Sequence, residues 1–198
     1  MSQRNVILLT AFKMFAINGY DGVSLNNIIK ETGLTKGGVY YHFGSKDELF
    51  IEVVQTFIIN YYTEKVKEIV KNTKKNVKTR LQNSYCIPAF LINQASKLFP
   101  IESNSFAFYL MFDAIRKFPS MKQAIADCYT EVTGLIIALV IEGIENKEIK
   151  DDVDMQSLSI EIVSLLDGIL MYSTLVPGIN IEKQLKKIFQ RTWQSIKV

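Results

Sequence analysis

The chain carries one histidine, His42, and it stands inside the run Thr35-Lys36-Gly37-Gly38-Val39-Tyr40-Tyr41-His42-Phe43. Lysine supplies a cation for phosphate, tyrosine a hydroxyl and a flat face, and imidazole a ring N–H donor. Such groups suit non-covalent recognition of a charged surface better than bond-making chemistry. Cys86 and Cys128 lie far from His42 and from each other in sequence, and no Gly-rich phosphate loop or metal-ligand spacing is present. Neither a cysteine–histidine pair nor a zinc site has a constellation, so no catalytic residue, metal or cofactor is expected and the chain does not read as an enzyme. The two cysteines sit among apolar residues and read as buried free thiols.

The elements that must hold this run are marked by caps and glycines. Ser24 is placed to cap a short helix with Leu25, Ile28 and Ile29 on one face. Thr32-Gly33 supplies a stop, and Thr35 caps a second short helix from Lys36. Two short helices joined by a Gly-containing turn read as a helix-turn-helix. Gly37 and Gly38 each cost roughly 1 kcal/mol relative to alanine in a helix, a loss offset where the backbone approaches another surface. The alternative is that the pair marks a loop, the tyrosines pack and His42 is incidental.

The ordered set from about Val6 to Leu49 resembles the DNA-binding domain of the TetR family of bacterial transcriptional regulators. The resemblance rests on Ala11-Phe12 … Phe15-Ala16 … Gly19-Tyr20, on Val23-Ser24-Leu25 … Ile28, and on Gly33-Leu34-Thr35-Lys36-Gly37 … Tyr40-Tyr41-His42-Phe43 … Lys46-Asp47-Glu48-Leu49. It implies a DNA-binding domain over residues 1–47 and a ligand-binding and dimerisation domain over 48–198. Contacts to double-stranded operator DNA are expected from Ser24, Thr35, Lys36, Gly37, Gly38, Tyr40, Tyr41, His42 and Lys46. Lys46 lies in the first turn of a helix opened by Ser45-x-x-Glu48, where free N–H groups favour an anion.

Composition agrees with an all-α fold of about nine helices. The 198 residues are 48% hydrophobic with four prolines and ten glycines, and the net charge of +3 permits DNA binding without arguing for it. Lys65, Lys67, Lys71, Lys74, Lys75, Lys78 and Arg80 outnumber Glu64 and Glu68. That run is either a field attracting DNA or the solvated end of one helix, a loop and the start of the next. The N-terminus shows no secretion signal, and the longest apolar run, Gly134 to Ile141, is shorter than the roughly 20 residues a membrane span needs. A soluble cytoplasmic protein is expected.

From about Thr79 to Ile144 the chain is rich in aromatic residues, among them Phe99, Phe106 and Phe118. Phe106, Phe108, Tyr109 and Phe112 cannot share one helix face, so more than one face is apolar. The resemblance implies a pocket for a lipophilic inducer there, with Tyr85, Cys86, Phe90, Phe108, Tyr109, Phe112, Tyr129, Met171 and Tyr172 as lining residues; an apolar and a cationic aromatic ligand both fit the set. Asp154 to Val176 is apolar nearly all round, Pro177-Gly178 ends it, and a final helix follows. These two helices either fill the monomer's own core or form the family's four-helix homodimer interface through Leu158, Ile162, Leu165, Ile169, Ile181, Leu185, Ile188 and Phe189. A ligand that changes the spacing of two heads releases the operator about a hundredfold with roughly 2.7 kcal/mol of differential affinity. Alternatives are a DNA-binding protein without sensing, and a helical ligand carrier or adaptor.

Overall fold

The computed structural model describes residues 2–90, 106–176 and 178–198, the side chains of Leu166 and Thr174 excepted. Phe99 and Pro177 lie outside the described residues. Every regular element among the described residues is helical, and one isolated bridge pairs Ile149 with Lys197. The α-helices are α1 (Gln3–Asn18), α2 (Leu25–Thr32), α3 (Lys36–His42), α4 (Lys46–Val54), α5 (Tyr61–Val70), α6 (Val77–Tyr85), α7 (Phe106–Lys117), α8 (Pro119–Glu145), α9 (Met155–Leu175) and α10 (Ile181–Ile196). The helix expected from Ser45 is two α-segments separated by a π-helical stretch, Gln55–Asn60, which makes ten among the described residues where about nine were expected.

The chain divides into two compact units, Met1–Tyr61 with Phe99–Ile125 and Tyr62–Leu98 with Ala126–Val198. They do not follow a boundary at residue 47, because α4 and α7 share the core of α1. In the first unit Phe15 meets Phe50 edge-on at 5.0 Å, Phe12 stacks on Phe57 at 4.5 Å and meets Phe106 at 5.9 Å. Burial of such rings is worth about 1.5–3 kcal/mol each. Gly19, at φ 68°, ends α1 in a backbone conformation that a side chain would strain.

In the second unit the apolar stripe of α10 faces inward. Ile181, Leu185, Phe189, Trp193 and Ile196 are buried, and Phe189 meets the wholly buried Tyr85 of α6 at 5.4 Å. On α9 Leu158, Ile162 and Ile169 are buried as well. Six of the eight residues expected at a dimer interface, Leu158, Ile162, Ile169, Ile181, Leu185 and Phe189, are therefore packed into the monomer's own core. Leu165 and Ile188 are half-buried. The surface that α9 leaves open carries Ile160, Met171, Tyr172 and Leu175, between 47% and 70% exposed.

The expectation that no segment reaches membrane-spanning length also changes. By length and apolarity Pro119–Glu145 and Met155–Ser173 qualify, because each helix continues its apolar character past the polar residues that interrupt the run. Val132, Ile136, Leu139 and Val140 of α8 are buried in the second unit's core.

Candidate nucleic-acid interface

The turn between α2 and α3 is built from caps. The Ser24 hydroxyl accepts from the Asn27 N–H at 3.1 Å and the Asn27 side chain accepts from the Ser24 N–H at 3.0 Å, a reciprocal capping box. Gly33 closes α2 in the left-handed region at φ 68°, ψ 9°. Thr35 then starts α3, its hydroxyl accepting from the Gly38 N–H at 3.1 Å. Val39 and Phe43, four residues apart, are wholly buried and root the inner face of α3.

The opposite face is open. Lys36, Gly37, Tyr40 and Tyr41 are exposed, Tyr41 at 85%, while His42 is half-buried with its ring 5.1 Å from that of Tyr41. The Lys36 ammonium stands 5.7 Å from the Tyr40 ring. The two glycines differ. A methyl group on Gly38 would meet the Thr35 hydroxyl at 3.2 Å, so it would press on the cap. A methyl group on Gly37 would meet no atom within 4 Å, so no contact among the described residues accounts for that glycine.

Lys46 is placed differently from the phosphate contact expected of it. Its ammonium donates to the carbonyls of Tyr20 and Val23 at 3.1 and 3.0 Å. It also sits 3.8 Å from the centre of the Tyr20 ring. Position in a helix's first turn gave no sign of the carbonyl pair, which the α1–α2 turn brings in from more than twenty residues away. At Ser45 the hydroxyl caps Glu48 at 3.1 Å, but the Glu48 carboxylate reaches past Ser45 to accept from the Gly44 N–H at 2.8 Å.

Tyr20, absent from the expected contacts, is the hub of this corner. Its hydroxyl donates to Asp47 and its N–H to Asp113 at 3.1 Å, and its ring meets Phe50 and Phe118 at 4.9 and 5.5 Å. Burial, then the Asp47 hydrogen bond and charge, push the Tyr20 phenol up to about 12. The signal in sequence was its place directly after Gly19, where α1 has to turn.

The residues expected to line a ligand pocket fall in different places. Phe108, Tyr109 and Phe112 lie on α7 in the first unit, where Tyr109 and Phe112 border a concavity of about 610 Å³ with Ile17, Asp113, Ile115 and Arg116. In the second unit Cys86 and Phe90 border a pocket of about 270 Å³ with Lys65, Glu68, Ile69, Asn72 and Lys75. Tyr85 is core, and Met171 and Tyr172 belong to the open surface of α9. Tyr129 donates its hydroxyl to Asp167 at 2.7 Å. Asp167 was not among the expected residues, although it is the one charge between Ile162 and Val176. Among the described residues no group of three His, Cys, Asp or Glu is arranged to hold a metal ion.

Comparison with known proteins gives two family matches. Residues 7–53 match the family described as bacterial regulatory proteins, tetR family, and residues 106–180 match tetracyclin repressor-like, C-terminal domain. The chain is 42% identical over 69 residues to the HTH-type transcriptional regulator LmrA of Bacillus subtilis, which spans 34% of this chain and 36% of that protein. It is 33% identical over 85 residues to the HTH-type transcriptional regulator QacR of Staphylococcus aureus, 43% of either protein. These matches span less than half the length of the relatives. The reduced form of E. coli NemR superposes over 100% of this chain and 98% of its own with a TM-score of 0.78, and at 17% identity that likeness shows the fold alone.

Proposed function

Since the chain belongs to the TetR family of bacterial regulatory proteins, we propose that it is a sequence-specific, ligand-responsive transcriptional regulator, a repressor released from its operator by a lipophilic small molecule. One observation carries the DNA reading: Gly37 lies on the open face of α3 with empty space where its side chain would be, beside exposed Lys36, Tyr40 and Tyr41. A helix lacking a Cβ at a vacant, solvent-facing position gains nothing internally. It gains when a duplex backbone or base edge has to come close.

In this reading Lys36, Gly37 and Tyr40 approach base edges. Tyr41, His42, Ser24 and Thr35 meet phosphates, with Gly38 keeping the Thr35 cap and Lys46 holding the turn behind them. Residues 1–47 supply the DNA contacts and 48–198 the sensing and pairing surfaces. The protein works in the cytoplasm as a homodimer. The open surface of α9, Ile160, Met171, Tyr172 and Leu175, supports that state, because exposed apolar side chains grouped on one helix favour a partner. A two-fold dimer presents two recognition helices to successive major grooves about 34–36 Å apart.

An electrophoretic shift with DNA from upstream of the protein's own gene tests the reading. Sequence-dependent binding at constant salt, weakened by lipophilic compounds, is the expected result. Binding that ignores sequence sinks the regulator reading, and ligand binding without any DNA shift leaves a helical carrier in its place.

A further inference from the structure

Charge is unevenly placed along the second half of the α5–α6 hairpin. From Ile69 to Ile101 the sequence has no aspartate or glutamate, and it has Lys71, Lys74, Lys75, Lys78, Arg80 and Lys97. Arg80 pairs with Glu142, and the Glu148 carboxylate accepts from the Val77 and Lys78 N–H groups at 3.2 and 3.3 Å. Lys71, Lys74 and Lys75 stand exposed on the turn between α5 and α6. None of the three enters an ion pair among the described residues. Soluble surfaces usually intersperse the two signs, and this turn does not.

The same lysines border an apolar groove. Val66 and Val70 of α5 and Leu81 and Tyr85 of α6 turn inward and are buried. On the outer side Ile69, Ile87 and the 41% exposed Phe90 floor a groove of about 270 Å³, with Asn72, Lys75 and Asn83 at its rim. Cys86 also lines it and is half-buried. Glu68 at the rim is already matched, since Lys65 donates to it at 2.6 Å while standing 5.2 Å from the centre of the Phe90 ring. Glu182, whose charge reaches the Cys86 thiol, is matched by Lys186 at 2.5 Å. Lys75 is left as an uncompensated cation beside an apolar floor.

An apolar cavity of about 150 Å³ holds a benzene ring, so the groove has room for one aromatic side chain. Duplex DNA presents phosphates but no side chain to fill the floor, whereas an acidic polypeptide presents both a carboxylate and an apolar anchor. We propose that the groove docks an acidic segment of a partner protein, one aromatic side chain entering over Ile69, Ile87 and Phe90 while flanking carboxylates meet Lys71, Lys74 and Lys75. The anchor supplies affinity and the lysines select by charge. This partner is additional to DNA, to an inducer and to a second copy of the chain, and it is held on the outer surface of the unit.

The test uses the full-length protein and three fluorescein-labelled heptapeptides, EEDFDEE, EEDADEE and KKKFKKK, followed by fluorescence anisotropy. The aromatic acidic peptide binds at least about tenfold more tightly than either of the others. Lys75→Glu weakens it by about tenfold or more, whereas Lys122→Glu, the same charge change at an exposed position of α8, leaves it within about twofold. Both replaced side chains are exposed, so the fold survives either change. Saturating peptide slows alkylation of Cys86 by iodoacetamide and leaves the buried Cys128 as it was. Binding of none of the peptides, equal binding of the alanine peptide, equal loss in the two variants, or an unprotected Cys86 overturns the docking site. Displacement of the peptide by a duplex of random sequence, whose own binding Lys75→Glu also weakens, overturns it too and gives the lysines to nucleic acid.

Discussion

The Lys46 ammonium stands 3.8 Å from the centre of the Tyr20 ring and donates to the Tyr20 carbonyl at 3.1 Å. With the Tyr20 hydroxyl on Asp47 and its N–H on Asp113, this pair clasps the end of α1 to α4 and α7. Lysine at position 46 thus acts on the fold before it acts on DNA. Lys46→Met is expected to lower the stability of the protein by about 1–3 kcal/mol, the worth of hydrogen bonds from a charged donor. Lys36→Met is expected to leave stability within about 0.5 kcal/mol and to reduce the salt slope of DNA binding by about one. Urea unfolding beside salt-dependent shift assays checks both; the reverse pattern returns Lys46 to the DNA.

Arg80 and Glu142 form an asymmetric ion pair. The guanidinium donates to both carboxylate oxygens and to the Val70 carbonyl, its side chain is 3% exposed and that of Glu142 is 38% exposed. Removing the acid strands a buried cation, whereas removing the base leaves an acid that water can reach. Glu142→Gln is therefore expected to cost about 3–5 kcal/mol and Arg80→Met less, in urea denaturation. Equal costs would mean the carboxylate is as desolvated as the base.

How much of this was legible in the sequence depended on whether a signal was local. Ser24, Thr35 and Ser45 all cap as their positions indicate, and Gly33 takes the left-handed turn, because capping is settled within four residues. Which side of α9 stays open was not legible. On α9 the stripe Leu158, Ile162 and Ile169 and the set Ile160, Met171, Tyr172 and Leu175 are equally apolar, so periodicity could not choose which side the core would take. The residues expected to line one pocket are spread over both compact units for a related reason: aromatic content identifies apolar faces but not which unit each face joins.

The open surface of α9 separates pairing from folding. Tyr172→Glu, at a side chain 55% exposed, is expected to shift the protein from dimer to monomer in sedimentation with a small change in the unfolding of the monomer. Phe189→Ala, at a side chain 1% exposed, is expected to cost about 3–5 kcal/mol of stability instead. Dissociation by Phe189→Ala at preserved stability would restore α10 to the interface.

Asp167 makes the stability of the fold depend on acidity. Burial raises its carboxyl above the unfolded value, so the folded chain binds that proton more tightly than the unfolded chain. The resulting stability is fully present below the unfolded carboxyl value and is lost as pH rises through the raised one. Tyr129 and Cys128 beside it are pushed up by burial, as Tyr62 is, and stay neutral across that window. Asp167→Asn is expected to melt above the native protein at neutral pH, with the gain shrinking as pH falls toward the unfolded carboxyl range. A gain constant across pH would show that the charge is not what strains the fold.

Gly37 gives the sharpest separation of structure from function. A methyl group there meets no atom within 4 Å, and the position is exposed in the first turn of α3. Alanine in an exposed helix is favoured over glycine by up to about 1 kcal/mol, partly because it restricts the unfolded chain. Gly37→Ala is expected to raise the melting temperature slightly and to weaken operator binding, since the added carbon occupies space reserved for the duplex. Gly38→Ala differs, because its methyl group presses on the Thr35 hydroxyl at 3.2 Å and disturbs the cap, so it is expected to lower stability as well as binding. Melting and shift assays on the two variants settle the matter. A Gly37→Ala protein that binds its operator as tightly as the native one would show that the empty space faces water and not DNA.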